Sequence, residues 1–409
     1  MLRNNFAGRK TVACALSFCL TILLSPSMAR SQAGQDIAGL KPQAAELIKQ
    51  AKYTDALPLL EKIVAAEPDD AQMQYYLAFG LLAQANVLQD EAQQKALRVR
   101  ARNALIKSKQ LGNTDAILDG LISSIPADGG AGGAFSRNVD AHRAMIEAEA
   151  FFAQGKMDEA LRSYQKALSL DPKIYEAALF SGDVYMHKED FPNAEVWYQR
   201  AIKINPDRET AYRYSATPLM KQGKYDQARD RYVEAYIAEP YNRFSVAGLT
   251  QWAQVTKTPL AHPEIEIPTD VTFDEKGEAK INLNAGALLG GKDDGSFAWI
   301  AYGATRTDWH KEKFAKTFPK ETAYRHSLPE EVDALQSVLA IATADKKIKS
   351  LSPSLARLKK LNDAGLLHAY ILFARADKGI ARDYPDYRTA NRARLRQYVL
   401  EYILTGGGS

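Results

Sequence analysis

Cysteine and histidine, on which most thiol and zinc chemistry depends, are scarce in this chain. Of 409 residues, two are cysteine and six are histidine. No two histidines stand four residues apart, and no H-E-x-x-H sequence occurs. Both cysteines, Cys14 and Cys19, lie in one apolar segment near the start, so the chain beyond that segment has no thiol for a disulfide, a nucleophile or a zinc ligand. We therefore predict no metal site.

A phosphate-binding loop is also missing. The nearest match, residues 286–293, fits the spacing G-x-x-x-x-G-K but has Asp293 where Ser or Thr must hold Mg²⁺. A second acid, Asp294, would repel phosphate as well. The stretch is better interpreted as a hairpin loop. We predict no cofactor and no catalytic residue.

The chain has no large excess of either charge. Lys and Arg number 53 and Asp and Glu 49, a net charge of +4, and the four basic residues of segment 1–33 account for all of it. A neutral remainder argues against nucleic acid as a partner. We predict that one basic group near the end is a solvated helix face, because acidic residues lie among its members and three of the members are spaced four residues apart. This group is Arg388, Arg392, Arg394 and Arg396.

Residues 1–33 have the pattern of a secretory signal peptide. A basic start is followed by the uncharged, mostly apolar segment 11–24, then by Pro26 and by small residues before Ala29 and Ala33. We expect cleavage, no stable membrane span afterwards, and export to the periplasm, the outer-membrane periphery or the outside of a bacterium. An uncleaved anchor is the alternative. A lipid anchor on Cys19 is disfavoured by the bulky Phe18 before it.

The strongest pattern is a repeat of 34 residues. Within each unit the apolar residues have helical spacing, and a Pro that follows an acidic or amide residue marks the end of the second helix. Each unit is therefore predicted to be a pair of helices that must stack on its neighbours, because one pair cannot cover its own apolar face. The residues that recur every 34 positions are Pro172, Pro206 and Pro240; Tyr164, Tyr198 and Tyr232; and Ala160, Ala194 and Ala228.

These positions resemble the tetratricopeptide repeat (TPR) pattern, and residues 141–243 are identified as three consecutive repeats. A weaker unit at 37–70 indicates further repeats over 34–124. The Gly- and Ala-rich stretch 125–140 is predicted to be a linker, and 244–261 a capping helix and linker.

After His262 the apolar spacing changes to a period of two, which indicates an α+β module over 262–405. Strands are predicted around 265–283, with a third at 296–302. Ser327 and Glu330 form a capping box for a helix over 328–342. The module resembles an extension of some bacterial repeat proteins, which implies no function, and 406–409 is predicted to be a flexible tail. The fold class is thus mainly α, a TPR solenoid followed by a small α+β module with a short antiparallel sheet.

The TPR resemblance implies a concave groove, lined by the first helix of each repeat, that holds a partner peptide or helix. Carried over by register, Phe152, Met186 and Met220 form one apolar strip, which either an external partner or residues 262–405 would cover. Chaperone-binding relatives hold a peptide carboxylate with Lys and Asn in the groove of the first repeat. Met145 and Glu149 stand at those positions here, which argues against such a carboxylate clamp. The predicted groove residues are Met145, Glu149, Phe152, Leu179, Asp183, Met186, Arg213, Thr217 and Met220.

The sequence favours an exported, non-enzymatic scaffold that binds a protein or peptide partner in this groove. The main alternative is an enzyme with its site in 262–405 and the repeats as a docking arm. A nucleic-acid binder is a third reading, disfavoured by the predicted export and the neutral charge.

Overall fold

The computed structural model describes residues 26–130, 132–274, 277–284, 286, 293–344 and 346–407. The chain divides into two compact units, Met1–Ala150 and Phe151–Ser409. Most of the predicted signal segment, residues 1–25, lies outside the described residues, as does nearly all of the predicted loop 286–293. Among the described helices, none combines the length and the apolar character that a membrane crossing requires.

The first unit is built from consecutive helices that pack against one another. Its core contains large side chains, such as Leu60, Phe79 and Leu105, that are almost completely buried. Aspartates cap two of the helices: Asp70 accepts hydrogen bonds from the amides of Gln72 and Met73, and Asp90 accepts one from the amide of Gln93. The helices are α1 Pro26–Lys49, α2 Tyr53–Ala66, α3 Ala71–Val87, α4 Glu91–Gln110, α5 Leu118–Ser124 and α6 Val139–Ala153, the last of which crosses the division between units.

The stretch 125–140, predicted to be a linker, lies inside the first unit and is held there by His142. The Phe135 amide donates to His142 Nδ1 at 3.4 Å, and His142 Nε2 lies 2.9 Å from Ser124 Oγ. Because the Ser124 hydroxyl donates to the Leu121 carbonyl, its oxygen is left to accept from Nε2–H. The imidazole is therefore neutral, with its proton on Nε2, and burial lowers the pKa of His142 from 6.5 to about 4.

The second unit begins with the predicted repeats. At the repeated positions Ala160, Ala194 and Ala228 are completely buried, and the tyrosines of the 34-residue step are buried as well. These small residues let neighbouring helices approach closely, as the spacing predicts. The helices are α7 Met157–Leu170, α8 Tyr175–His187, α9 Phe191–Ile204, α10 Glu209–Lys221, α11 Tyr225–Ala238 and α12 Arg243–Thr256.

The rest of the second unit is the α+β module. Within its described residues the module has two strands, β1 Thr269–Phe273 and β2 Ala279–Leu283, which are antiparallel with Val271 opposite Ile281. The α-helices that follow in the described residues are α13 Ile300–Asp308, α14 Phe314–Thr317, α15 Leu328–Ala344, α16 Pro353–Asp363, α17 Leu367–Tyr370 and α18 Tyr384–Glu401. Single turns of π-helix, Trp309–Lys313 and Ile371–Arg375, extend α13 and α17. The predicted fold class, a TPR solenoid with a small module that carries a short antiparallel sheet, is confirmed.

The third strand predicted at 296–302 is wrong. Residues Ser296–Trp299 form a 3₁₀ turn that leads directly into α13. Asp294 accepts a hydrogen bond from the Ser296 amide at 3.1 Å, which starts a helical turn. The buried positions then follow a helical spacing, because Ala298, Trp299 and Tyr302 are buried while Phe297 and Ile300 are exposed.

The capping box at Ser327 is also wrong, although α15 begins where the sequence predicts. The first amide of the helix, that of Leu328, donates to Asp383 Oδ2 at 2.8 Å, so a residue 55 positions away supplies the cap. Glu330 turns away to accept hydrogen bonds from Arg306 and Tyr324.

The described part of the predicted tail folds back onto the end of the last helix, because the Gly407 amide donates to the Tyr402 carbonyl at 2.9 Å.

The neutral, buried His142 makes the first unit sensitive to acid. Its folded pKa of about 4 lies below the unfolded value of 6.5, so its contribution is complete above pH 6.5 and is lost as the pH falls towards 4. We expect the free energy of unfolding of this unit to fall by about 2 kcal/mol between pH 7.5 and pH 5 through this residue alone. Urea melts at the two pH values measure the loss.

The matched variant is His142→Gln, which keeps a donor and an acceptor but does not titrate. It should lose less stability than the wild type over the same pH interval. An equal loss in both proteins would show that His142 does not carry the pH dependence.

Candidate functional site

Four of the predicted groove residues meet at one open hollow of about 300 Å³ in the second unit. Phe152 comes from the end of α6, Asp183 and Met186 from α8, and Thr217 from α10. On α8, Asp183, Met186 and His187 are three and four residues apart and so share one face. These four groove residues come from the first helices of successive repeats, and Tyr198 joins them from α9. The remaining lining residues of the hollow are His187, Tyr198 and Tyr214.

The hollow combines aromatic rings with one carboxylate. Phe152 and His187 lie edge to face, with ring centroids 5.2 Å apart, and Tyr198 and Tyr214 do the same at 6.1 Å. The Tyr198 hydroxyl donates to Asp183 Oδ1 at 2.8 Å, which fixes the carboxylate. Burial and the charge of Asp183 raise the pKa of Tyr198, so this hydroxyl stays protonated.

Three of the predicted groove residues are instead part of the interior. Met145 and Leu179 are buried, and Met220 packs against the main core of the second unit. The reason at Leu179 is that α8 lies between α7 and α9, so its side chains on more than one face are covered. Of the predicted apolar strip, Phe152 and Met186 line the hollow, while Met220 packs against the core that the repeats share with residues 262–405, one of the two coverings that the prediction allowed.

The two charged groove positions outside the hollow differ in their surroundings. Arg213 is already occupied, since its guanidinium pairs with the buried Glu209 at 2.7 Å and lies over the rings of Tyr214 and Phe244. Glu149 is half-buried on α6 in the first unit. Neither residue belongs to the hollow.

The basic face near the end of the chain is not solvated. It binds the acidic surface of the last repeat through α18, where Arg396 contacts Asp230 and Glu234 at 3.0 and 2.9 Å. Arg392 reaches the same Glu234, and Arg388 pairs with Asp207 at 2.9 Å. The spacing of four predicts the helical face correctly, but the acidic partner of that face lies more than 150 residues earlier in the chain.

The α+β module contains a buried polar network that the sequence pattern does not reveal. Glu331 accepts hydrogen bonds from Tyr302 at 2.7 Å and Arg375 at 3.0 Å, and it lies 3.1 Å from His326 Nε2. The other ring nitrogen of His326 lies 2.9 Å from Asp377. Burial alone would raise the pKa of Glu331, but the hydrogen bond with His326 and the charge of Arg375 lower it to about 2. The spacing S-x-x-E suggested only a helix cap here.

This network holds acid and base groups together, as an enzyme site does, but they are paired with one another. Paired groups of this kind hold three elements in fixed relative positions: α13, α15, and the π turn after α17. None of the hollows beside Phe152, beside Trp252 or beside His368 is lined by a member of the network. Across the described residues, no three His, Cys, Asp or Glu side chains are grouped so that they could hold a metal ion.

Comparison with known proteins identifies the repeats. A tetratricopeptide repeat family model matches residues 147–209. The chain is 28% identical over 131 residues to the DnaJ homolog subfamily C member 7 homolog of Schizosaccharomyces pombe, a match that covers 29% of this chain and 28% of that protein. It is 33% identical over 55 residues to human tetratricopeptide repeat protein 6, covering 13% and 11% of the two chains. The chain thus spans less than a third of either curated relative.

Among solved structures, the chain is similar to the first TPR domain of Spaghetti (RPAP3), which was solved bound to an HSP90 peptide. That match has 24% identity and a TM-score of 0.27, and it covers 29% of this chain and 94% of the domain. A second similar structure, the TPR protein YrrB, has 12% identity and a TM-score of 0.27, with 55% and 97% covered. The family match and the 34-residue register together show tetratricopeptide repeats at residues 147–209.

Proposed function

We propose that this protein is a non-enzymatic scaffold that binds a peptide or helix of a partner protein in the hollow beside Phe152. The TPR fold commonly mediates protein or peptide binding. The observation that carries the proposal is the hollow itself, where side chains from successive first helices leave apolar surface open to solvent. Adaptable Met186 and rigid aromatic rings next to one another are typical of surfaces that receive an apolar anchor.

The alternative of an enzyme in 262–405 receives less support. Its best candidate group, the network around Glu331, has hydrogen bonds on both ring nitrogens of His326 and on both oxygens of Glu331. A general base needs a free lone pair directed at a substrate. We therefore assign these residues to the stability of the module.

A library of random 12-residue peptides displayed on phage, selected on the purified protein, tests the binding function. We expect selected peptides to bind the wild type and to lose at least about tenfold in affinity for Met186→Glu, because the new carboxylate would be desolvated in the hollow. Isothermal titration measures both affinities.

Val196→Glu is the matched control, since it adds the same charge on α9 at a side chain that is 63% exposed and outside the hollow. It should leave affinity unchanged. Peptides that bind wild type and Met186→Glu equally well would refute the hollow as the binding site.

We propose further that the protein is exported. The proposal is supported by the basic start, the uncharged segment 11–24 and the small residues before Ala29 and Ala33. Mass spectrometry of the protein purified from its own cells should find an N-terminus near Arg30 or Gly34. An intact Met1, or a lipid on Cys19, would contradict export with cleavage at this point.

A further inference from the structure

A second open hollow, of about 370 Å³, lies in the α+β module beside His368, and polar side chains make up most of its lining. It shares no lining residue with the hollow beside Phe152. Helices α15, α16, α17 and α18 each contribute a polar group, so four separate elements converge on it. Among the described residues that line it, none carries a carboxylate. The polar ones are Gln336, Asn362, His368, Tyr387, Asn391 and Arg394.

Two helices depart from regular geometry at this hollow. Asn391, inside α18, has the non-helical backbone angles φ −131° and ψ 26°, and the π turn Ile371–Arg375 directly follows α17. Irregular turns of this kind inside helices are frequent at functional sites. At the break in α18, Asn391 Nδ2 donates to the Tyr387 carbonyl at 3.2 Å. Because a carbonyl can only accept, Asn391 Oδ1 faces away from it and stays available as an acceptor.

The other planar side chains also keep hydrogen-bonding atoms available. Gln336 donates to Asn362 Oδ1 at 3.0 Å, so Gln336 Oε1 can still accept and the Asn362 amide nitrogen can still donate. Arg394 uses one terminal nitrogen for the carbonyl of Ala364 at 3.2 Å and for Gln397 at 3.3 Å. Its other two nitrogens have no partner among the residues that the structure describes.

His368 and Tyr387 form one stacked pair, with ring centroids 5.3 Å apart and an interplanar angle of 9°. In the described part of the chain, neither the ring nitrogens nor the hydroxyl has a hydrogen-bond partner, and these atoms are not sealed from solvent. Burial lowers the pKa of His368 and raises the pKa of Tyr387. At neutral pH the imidazole is therefore neutral and the hydroxyl protonated, so each offers both a donor and an acceptor.

We propose that the hollow beside His368 binds a carbohydrate, either a free sugar of one or two rings or the end of a longer glycan. A sugar hydroxyl both donates and accepts, which matches a lining that offers both kinds of atom. An anion only accepts, and it would face the free oxygens of Gln336 and Asn391. A cation would meet Arg394 without a carboxylate to pair with.

The lining suits a sugar better than a peptide. Its apolar side chain, Leu367, is almost completely buried, so the apolar anchor of a peptide would find little to contact. A volume of about 370 Å³ lies at the small end of the range for ligand pockets and accommodates one or two sugar rings. This inference does not depend on the proposed peptide binding.

Saturation-transfer NMR on the purified protein tests the inference with glucose, galactose, mannose, N-acetylglucosamine, maltose and cellobiose as probes. We expect at least one of these sugars to receive saturation from the protein. His368→Phe and Tyr387→Phe keep the stacked rings but remove their hydrogen-bonding atoms. Each variant should weaken that sugar by about fivefold, the effect of one lost hydrogen bond.

Tyr225→Phe is the matched control, since it removes a hydroxyl from a side chain that is 42% exposed and outside this lining. It should leave the affinity unchanged. Arg394→Gln keeps a planar group that donates but removes the charge, so the sugar should weaken by no more than about threefold. Acetate and phosphate should not compete with the sugar.

An array of immobilised glycans separates the two sources of the ligand. Binding to the array but to none of the free sugars would assign the site to the end of a longer glycan. Binding to neither would refute the inference. Sugar binding that both His368→Phe and Tyr387→Phe leave unchanged would also refute it, because the sugar would lie elsewhere.

Two further outcomes would replace the sugar with another ligand. Competition by acetate or phosphate, with loss of binding in Arg394→Gln, would show an anion site. Library peptides that bind the wild type but not Tyr387→Phe would show a peptide site. Met186→Glu should leave sugar binding unchanged, so this inference and the proposed function can fail separately.

Discussion

The close contact between a small residue on one helix and a tyrosine ring on the next determines how the helices of the second unit pack. A Cβ atom on Gly182 would lie 2.5 Å from Tyr198 Cε1, and one on Gly248 would lie 2.8 Å from Tyr232 Cδ1, closer than atoms can pack. The buried Tyr198 that fills this contact also donates its hydroxyl to Asp183. The same side chain thus sets the helix spacing and positions the carboxylate of the hollow.

The C-terminal module determines how far the open surface of the repeats extends. Its helix α18 is held on the last repeat by charge-assisted bonds to acidic side chains and by Tyr384, which donates to the Ile237 carbonyl. Met220, in the last repeat, belongs to the core that the repeats and the module share. The predicted groove residues that line the open hollow are therefore those from Phe152 to Thr217, and the last repeat is covered by the module.

The parts of this structure that sequence predicts are those governed by local spacing. Tyr164, Tyr198 and Tyr232 recur every 34 residues because each repeat makes the same contact with its immediate neighbours. Such a pattern can be recognised from the sequence alone. Short apolar runs are ambiguous, which is why 296–302 was predicted as a strand. Register also identifies which helix lines the groove, but not how deeply Leu179 is covered by the helices on either side.

Long-range pairing is the part that the sequence does not reveal. Glu331 meets Tyr302 and Arg375, which are 29 and 44 residues away, and Arg392 meets Glu234, which is 158 residues away.

The central claim, that a partner peptide binds in the hollow beside Phe152, is tested most directly by backbone amide exchange measured with and without a selected peptide. This measurement reports the bound surface without a mutation. We predict slower exchange in α8 and α10, around Asp183 and Tyr214, and none in α15 or α18. Slower exchange confined to 262–405 would contradict the account.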